Sequence, residues 1–540
     1  MNRWTALALL LAVAGALALR VPQLAVRPLH NDEAINATKL AALWEKGEYR
    51  YDPDEYHGPT LYYCSLPFLA LSSLVNSDAP TGSQLPAAQG GGRPTFSDSE
   101  LRLVIVAFGV GLILLLLLLT DGLGPGATGW AAIFLAVSPA MVFYSRYFIH
   151  EMLLIFFTLL TLAAGWRYAQ SRQAGWAAVT GAGVGLMFAT KETFVLSLAA
   201  MTLALVATWS WNRWRARRLG GVPALVSGSA WMPSSRHAGL ALAVAGGVGL
   251  VFFSSFFTNA SGLLDSVKTY LPWLHRAGGA SPHIHPWNFY LERLVWFHPP
   301  KSPIWSEALI LLLAAVGGGV AFSNNPDLRA QPTFARFLTF YTLALTAIYT
   351  LIAYKTPWCL LNFWLGMILL AGIGAAALFR LCRSTLTKLL LVAALAVGVG
   401  HLGNQAWRAA VTQAANPRNP YVYAQTTDGC RQLVARVEAV ARVASGPETV
   451  VKVIAPESYW PLPWYLRSFK HLGWWDKLPA DPYAPIVLVS AKLDALLDEK
   501  SNKAWIMTGY YELRPGVYFE LYVERGLWEK FVATLPRTDD

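Results

Sequence analysis

Runs of about 17 to 22 mostly apolar residues recur near 5–24, 100–120, 127–145, 152–168, 176–190, 193–210, 240–257, 304–321, 337–354, 358–378 and 387–402. Each is long enough for a helix to cross a hydrocarbon layer, which predicts about eleven transmembrane helices. The run LYYCSLPFLALSSLV, 61–75, is shorter and holds a proline, and it reads as an interfacial or re-entrant piece of the first loop. After residue 405 the pattern changes. An amphipathic stretch CRQLVARVEAVARV, short β-like runs TVVKVIA and PIVLVS, and a closing VYFELYVERGLW predict a small α/β domain over 405–540. The Gly-, Pro- and Ser-rich segments 77–100 and 220–239 predict loops. The expected organisation is an α-helical polytopic membrane portion, 1–404, with long loops at 25–99 and 258–303, followed by the mixed portion.

Composition agrees with this pattern. A hydrophobic content of 55% against 14% charged residues excludes an ordinary water-soluble enzyme. No A-x-A cleavage signal follows the first apolar run, so it is expected to stay as a helix. The basic clusters WRYAQSR (166–172), WNRWRARR (211–218) and RLCRSTLTK (380–388) fall on one side in this count, which makes that side cytoplasmic. The N-terminus is then cytoplasmic, the loops 25–99 and 258–303 and the C-terminal domain are extracytoplasmic, and the expected location is the cytoplasmic (inner) membrane. Cys64, Cys359, Cys382 and Cys430 show no C-x-x-C spacing and argue for neither a zinc site nor a disulfide framework. The net charge of +11 fits basic loops, and nothing in its pattern requires nucleic acid.

The unusual ionisable residues fall together on the outer side. Asp32 and Glu33 stand in HNDEAINATKL, His57 in EYHGPTLYY, Arg146 and Glu151 in SRYFIHEM, and Lys191 in ATKETF. His283, His285 and Arg293 follow in SPHIHPWNFYLERL, and Lys355 in YKTPW. A tight turn between helices needs none of these charges, so their clustering predicts a polar pocket open to lipid and to water. Such a pocket suits transfer from a lipid phosphate: a carboxylate takes a proton from an acceptor hydroxyl while cations or a metal stabilise the departing phosphate. Asp32 is the candidate base. In a helix beginning at this stretch Asp32 and Asn36 share a face while Glu33 points elsewhere, the rival reading for Asp32 being a helix cap. His57 reads as an interfacial histidine or a metal ligand. His283 and His285 project to one side of an extended segment. Lys191 and Lys355 read as snorkelling or phosphate-binding lysines, and Arg146 and Arg293 as ion-pair partners or phosphate contacts.

DEAINA, YHGPTLYYCSLP, SRYFIHEMLLIFF, ATKETF and SPHIHPWNFYLERL resemble, in this order, the outer-loop motifs of GT-C type integral-membrane glycosyltransferases. That class includes protein O-mannosyltransferases and the lipid A aminoarabinose transferase. HNDEA, YHGPTLYY, YKTPW, YWPLPWYL and RPGVYFELYVERGLW are similar, more closely, to the bacterial and archaeal flippase-activity-associated proteins, which are placed in the same class. The resemblance implies a GT-C fold and inverting transfer of a sugar from a polyprenyl-phosphate-linked donor to a protein, lipid or glycan acceptor at the bilayer surface. It implies catalytic roles for Asp32, Glu33 and Glu151 and donor-phosphate contacts by Arg146, Lys191, Arg293 and Lys355. It admits, without requiring, a divalent metal ion (Mg, Mn or Zn), for which His57, His283 and His285 are the candidate ligands. The acid and lysine common before the proline in the aminoarabinose type are here His57 and Gly58. The alternative is a flippase, or an accessory to one, that moves lipid-linked sugars without catalysis.

Overall fold

The computed structural model describes residues 2–54, 57–75, 96–218, 233–272, 283–323 and 330–536. Its membrane portion comprises α1 (Arg3–Arg20), α2 (Asn31–Lys46), α3 (Thr60–Val75), α4 (Asp98–Leu115), α5 (Thr120–Leu123), α6 (Pro125–Val137), α7 (Pro139–Tyr144), α8 (Glu151–Ser171), α9 (Ala174–Phe188), α10 (Phe194–Arg218) and α11 (Ser235–Phe253). After the short α12 (Gly262–Lys268) and α13 (Phe289–Val295) come α14 (Ala308–Ala321), α15 (Pro332–Leu351), α16 (Leu361–Leu381) and α17 (Thr385–Trp407).

Each expected apolar run lies on a helix. Among the described residues eight helices are long and apolar enough to cross a membrane, while α3, α6, α9 and α14 are shorter apolar helices. The predicted loops 77–100 and 220–239 fall largely outside the described residues. Helix α4 nevertheless begins inside the first of them, because Ser97 and Glu100 form a reciprocal capping box, and α11 begins inside the second, because Ser234 caps it.

One expected span is broken in two. Proline at 139 has no N–H to offer the carbonyl of Leu135, so the run 127–145 divides into α6 and α7 with Ser138 between them. The orphaned carbonyls of Leu135 and Ala136 are taken instead by the Arg20 guanidinium, at 2.7 and 2.8 Å. Glu307, completely buried, accepts from the Ala140 N–H (3.0 Å), the Ser138 hydroxyl (2.5 Å) and the Tyr421 hydroxyl (2.6 Å). Two buried ionisable side chains thus replace the backbone bonds that the proline removes.

Close helix packing relies on small residues. Helices α14 and α16 meet at Gly317 and Gly374, where an added Cβ would lie 2.0 Å from the carbonyl oxygens of Leu370 and Leu313 respectively.

The C-terminal portion is the small α/β domain expected from its pattern. The amphipathic run is helix α18 (Asp428–Arg442), and β1 (Val451–Ile454), α19 (Leu462–Tyr465), β2 (Leu472–Trp475), β3 (Ile486–Ser490), β4 (Trp505–Arg514) and β5 (Val517–Glu524) follow. The strands form one sheet in the order β2-β1-β3-β5-β4, parallel among the first three and antiparallel beyond. Val437 and Val440 of α18 pack with Val453, Leu488 and Leu521 on one face of the sheet. The β-like runs land on β1, β3 and β5. Strands β2 and β4 lacked a clear apolar alternation and went unpredicted.

Gly374→Ala is expected to push α14 away from α16, at a cost of about 1–3 kcal/mol. The measurement is the thermal unfolding midpoint in detergent, with Gly319→Ala, where an added Cβ meets nothing within 4 Å, as the neutral comparison.

Candidate active site

The site is organised by the start of α2. His30 caps this helix: its Nδ1 accepts the Asp32 N–H at 3.2 Å, while the His30 N–H donates to Glu33 Oε2 at 3.0 Å. Gly47, with φ +70°, ends the helix in the left-handed conformation that glycine adopts without strain. The two adjacent acids diverge. Glu33 is fully buried and receives both Nε and Nη2 of Arg102, each at 2.8 Å, together with the Phe148 N–H at 2.9 Å. Arg27 lies 3.7 Å away. Burial alone would raise the Glu33 carboxyl, but the two guanidinium groups prevail and hold it at about 2. The Asp32 side chain is 44% exposed and faces the other way.

Asp32 and Asn36 border a cavity of about 520 Å³ at the end of the bundle where α8 and α10 begin and α9 and α15 finish. This volume is in the ordinary range for a small-molecule site. Asn36 is fixed in it, donating to the Phe148 carbonyl and accepting from the Tyr62 hydroxyl. Glu151 and Lys191 enter from the starts of α8 and α10 as a buried ion pair. Burial opposes the lysine's charge, yet the Glu151 carboxylate outweighs it and holds the ammonium above its ordinary range. His57 Nδ1 meets Glu192 at 3.1 Å, with 34% of the His57 side chain exposed. Gly58 lies against α9's end, where a Cβ would strike the Ala189 carbonyl oxygen at 2.1 Å. Only a glycine next to His57 lets the first loop approach so closely.

The far wall comes from the segment that joins the membrane portion to the sheet. Tyr423 and Ala424 line the cavity. The Tyr423 hydroxyl meets His283 Nδ1 at 2.6 Å and His285 Nε2 at 3.3 Å, and its ring lies edge-on to Trp358. Bonds on both sides fix the segment: the Tyr421 hydroxyl on Glu307, the Gln425 amide on the Pro28 carbonyl (3.0 Å), and the Thr426 hydroxyl on the Leu29 carbonyl (2.7 Å). From α19, the Tyr465 hydroxyl accepts the Leu29 N–H (2.8 Å) and donates to Asp98 (2.8 Å). The turn that delivers Asp32 is therefore clasped by residues from the far end of the chain.

The expected site residues separate into two groups. Asp32, Glu151, Lys191, His57 and His283 border the cavity. Glu33, Arg146, Arg293, Lys355 and His285 do not. Arg146 donates to the carbonyls of Leu19 and Gln23, and Lys355 to those of His285 and Ile352. Arg293 lies over the Phe289 ring, 3.6 Å from its centroid. Burial lowers all three cations from their ordinary values. Arg146 and Lys355 are thus engaged by carbonyls of the frame, whereas Arg293 bonds the Phe289 carbonyl through Nη1 and its buried Nε has no hydrogen-bond partner among the described residues.

The expected metal ligands are likewise divided, His57 to Glu192 and His283 and His285 to Tyr423. Among the described residues no group of three His, Cys, Asp or Glu side chains converges to hold a metal ion. These described residues offer no ready protein cage for a metal ion.

Arg102, Arg27, His30, Tyr423 and Trp358 escaped sequence reasoning. A lone arginine inside the apolar run LRLVIVAFGV was a usable signal, since a charge at such a place requires a partner.

The model of the family described as dolichyl-phosphate-mannose-protein mannosyltransferase matches residues 95–233. The fold is similar to that of ArnT from Cupriavidus metallidurans bound to undecaprenyl phosphate, at 15% identity and a TM-score of 0.57, covering 96% of this chain and 98% of that one. It is also similar to the archaeal oligosaccharyltransferase AglB from Archaeoglobus fulgidus, in complex with an inhibitory peptide and a dolichol-phosphate. That match has 13% identity and a TM-score of 0.53, covering 99% of this chain and 75% of that one. No curated protein matches the chain by sequence.

The Glu33 ion pair yields a signed expectation. A carboxyl held at about 2 against an ordinary 4.5 contributes stability that is complete above about 4.5 and is lost as pH falls toward 2. Glu33→Gln is expected to flatten that loss in acid-unfolding curves. Arg102→Met, which leaves the buried carboxylate uncompensated, is expected to cost about 3–5 kcal/mol in the unfolding midpoint near neutral pH.

Proposed function

We propose that the protein is a membrane glycosyltransferase that takes a sugar from a polyprenyl-phosphate carrier and passes it, with inversion, to an acceptor at the extracytoplasmic face. The observation that carries this reading is the chamber itself. A solvent-reaching carboxylate, Asp32, shares about 520 Å³ with the compensated Glu151–Lys191 pair at the ends of several membrane helices. A lipid phosphate and a water-borne acceptor can both reach such a place.

Asp32 accepts the proton of the acceptor hydroxyl as that oxygen bonds to the sugar's anomeric carbon. The bond from that carbon to the phosphate oxygen breaks, and its electron pair leaves with the polyprenyl phosphate. Lys191, fixed by Glu151, is the lysine positioned to meet phosphate charge. Glu33, Arg146 and Lys355 support the frame, and of the four cations expected to contact donor phosphate Lys191 is the one that lines the chamber. The similarity to ArnT bound to undecaprenyl phosphate and to AglB in complex with a dolichol-phosphate favours a polyprenyl-phosphate ligand.

The basic end of α10, with Arg215, Arg217 and Arg218, lies at the opposite end of that helix from Lys191. By the positive-inside rule this favours a chamber on the outer surface of the cytoplasmic membrane. The portion from 405 onward then lies outside as well, next to the acceptor. The sequence similarity to flippase-activity-associated proteins supports the same class and leaves transport of the lipid-linked sugar as the competing outcome.

The test uses the full chain in liposomes with radiolabelled polyprenyl-phosphate sugars and a membrane extract as acceptor. Asp32→Asn is expected to reduce sugar transfer by about 10²-fold or more while the protein remains folded. Labelled lipid changing leaflet equally in both proteins, with no sugar transferred, would instead establish the flippase.

A further inference from the structure

His30 holds a second position in the chamber besides its role as helix cap. Its Nδ1 accepts the Asp32 N–H, so that nitrogen carries no proton. Burial, reinforced by the nearby charges of Arg27 and Arg514, holds the imidazole below its ordinary value against the opposing pull of Asp32 and Glu33, and keeps the ring neutral. The ring's one proton therefore resides on Nε2. That Nε2–H is buried and has no hydrogen-bond partner among the described residues. An unpaired buried donor costs about 1–3 kcal/mol, and in folded proteins such groups are rare enough to call for an explanation.

The ring's surroundings supply one. His30 is 4% exposed and forms part of the chamber wall beside Asp32, its Nδ1 being 3.8 Å from Asp32 Oδ1. Tyr147 and Trp358 hold it at centroid distances of 5.5 and 5.8 Å, the Trp358 ring edge-on. The cap cannot rotate without giving up the Asp32 N–H. The position is thus preorganised, with one nitrogen committed to the helix and the other donating.

We propose that His30 is a substrate-binding residue whose Nε2–H donates a hydrogen bond to an oxygen of the polyprenyl-phosphate sugar next to Asp32. This rests on the transfer reading given above and extends it, placing a neutral donor beside the proton-accepting carboxylate. The bonded oxygen belongs to either the sugar or the phosphate, and the two are separable by experiment.

The test exploits the double duty of the ring. Asparagine and serine are good helix caps, so His30→Asn and His30→Ser keep an acceptor for the Asp32 N–H and remove the donor at Nε2. Full-chain protein in nanodiscs is titrated with undecaprenyl phosphate and with undecaprenyl-phosphate hexose, and the kcat and KM of transfer are measured in parallel. Both variants are expected to remain folded, with a midpoint lowered by the lost ring packing, and to bind about 10-fold more weakly. Weaker binding of the hexose-bearing lipid alone assigns the oxygen to the sugar, and equal weakening of both lipids assigns it to the phosphate. Wild-type affinity and KM in the folded variants would overturn the proposal and leave His30 as a cap. A wild type that binds both lipids but transfers nothing would remove the transferase reading while the affinity comparison still decided the role of His30.

Discussion

The chamber end of this molecule hangs from a carboxylate that never meets water. Glu33 gathers Arg102 from α4, the backbone of the turn before α8 and the capping residue of its own helix. Two charges taken out of water are stable only where each satisfies the other and the leftover donors find acceptors. Arg102 meets that condition by also bonding the carbonyls of Leu24, Arg27 and Pro28. The price of burial is offset through geometry, and the geometry fixes where Asp32 stands.

Charge is handled in a second way inside the chamber. Among its described lining side chains Asp32, Asp54, Glu151 and Glu192 are carboxylates, against the single ammonium of Lys191. Lys191 is engaged by Glu151 and Glu192 by His57. A phosphate entering as proposed would meet more carboxylates than ammonium groups among the described lining residues, so its recognition would depend on oriented polar groups as much as on net charge. A neutral donor such as the His30 N–H suits that setting, because it offers a hydrogen bond without adding to the balance of ions.

The architecture was largely legible in the chain. Hydropathy runs of membrane length depend on local composition, and a bilayer leaves helices as the ordinary way to satisfy the backbone. The exceptions have local causes: Pro139 divides one span, and the capping residues Ser97 and Ser234 start helices inside apparent loops. At the site, the divergence of Asp32 from Glu33 followed from helical geometry, which turns neighbouring side chains well away from each other. Arg146, Arg293, Lys191 and Lys355 looked alike on paper because their difference lies in which carbonyls, rings or acids stand within reach. That information is tertiary. Tyr423 was invisible for the same reason, being some 140 residues from the histidines it joins.

The segment between membrane helix and sheet occupies the stretch where composition turns from apolar to mixed, the usual mark of a linker between modules. Here it forms a wall of the chamber and holds the turn before Asp32. The two portions therefore share the chamber, and the seam visible in composition runs along its wall. If tails were exchanged between related chains at that seam, each would bring part of the recipient's binding surface with it. Diversification of the C-terminal domain would then alter the chamber directly, without any change in the membrane helices.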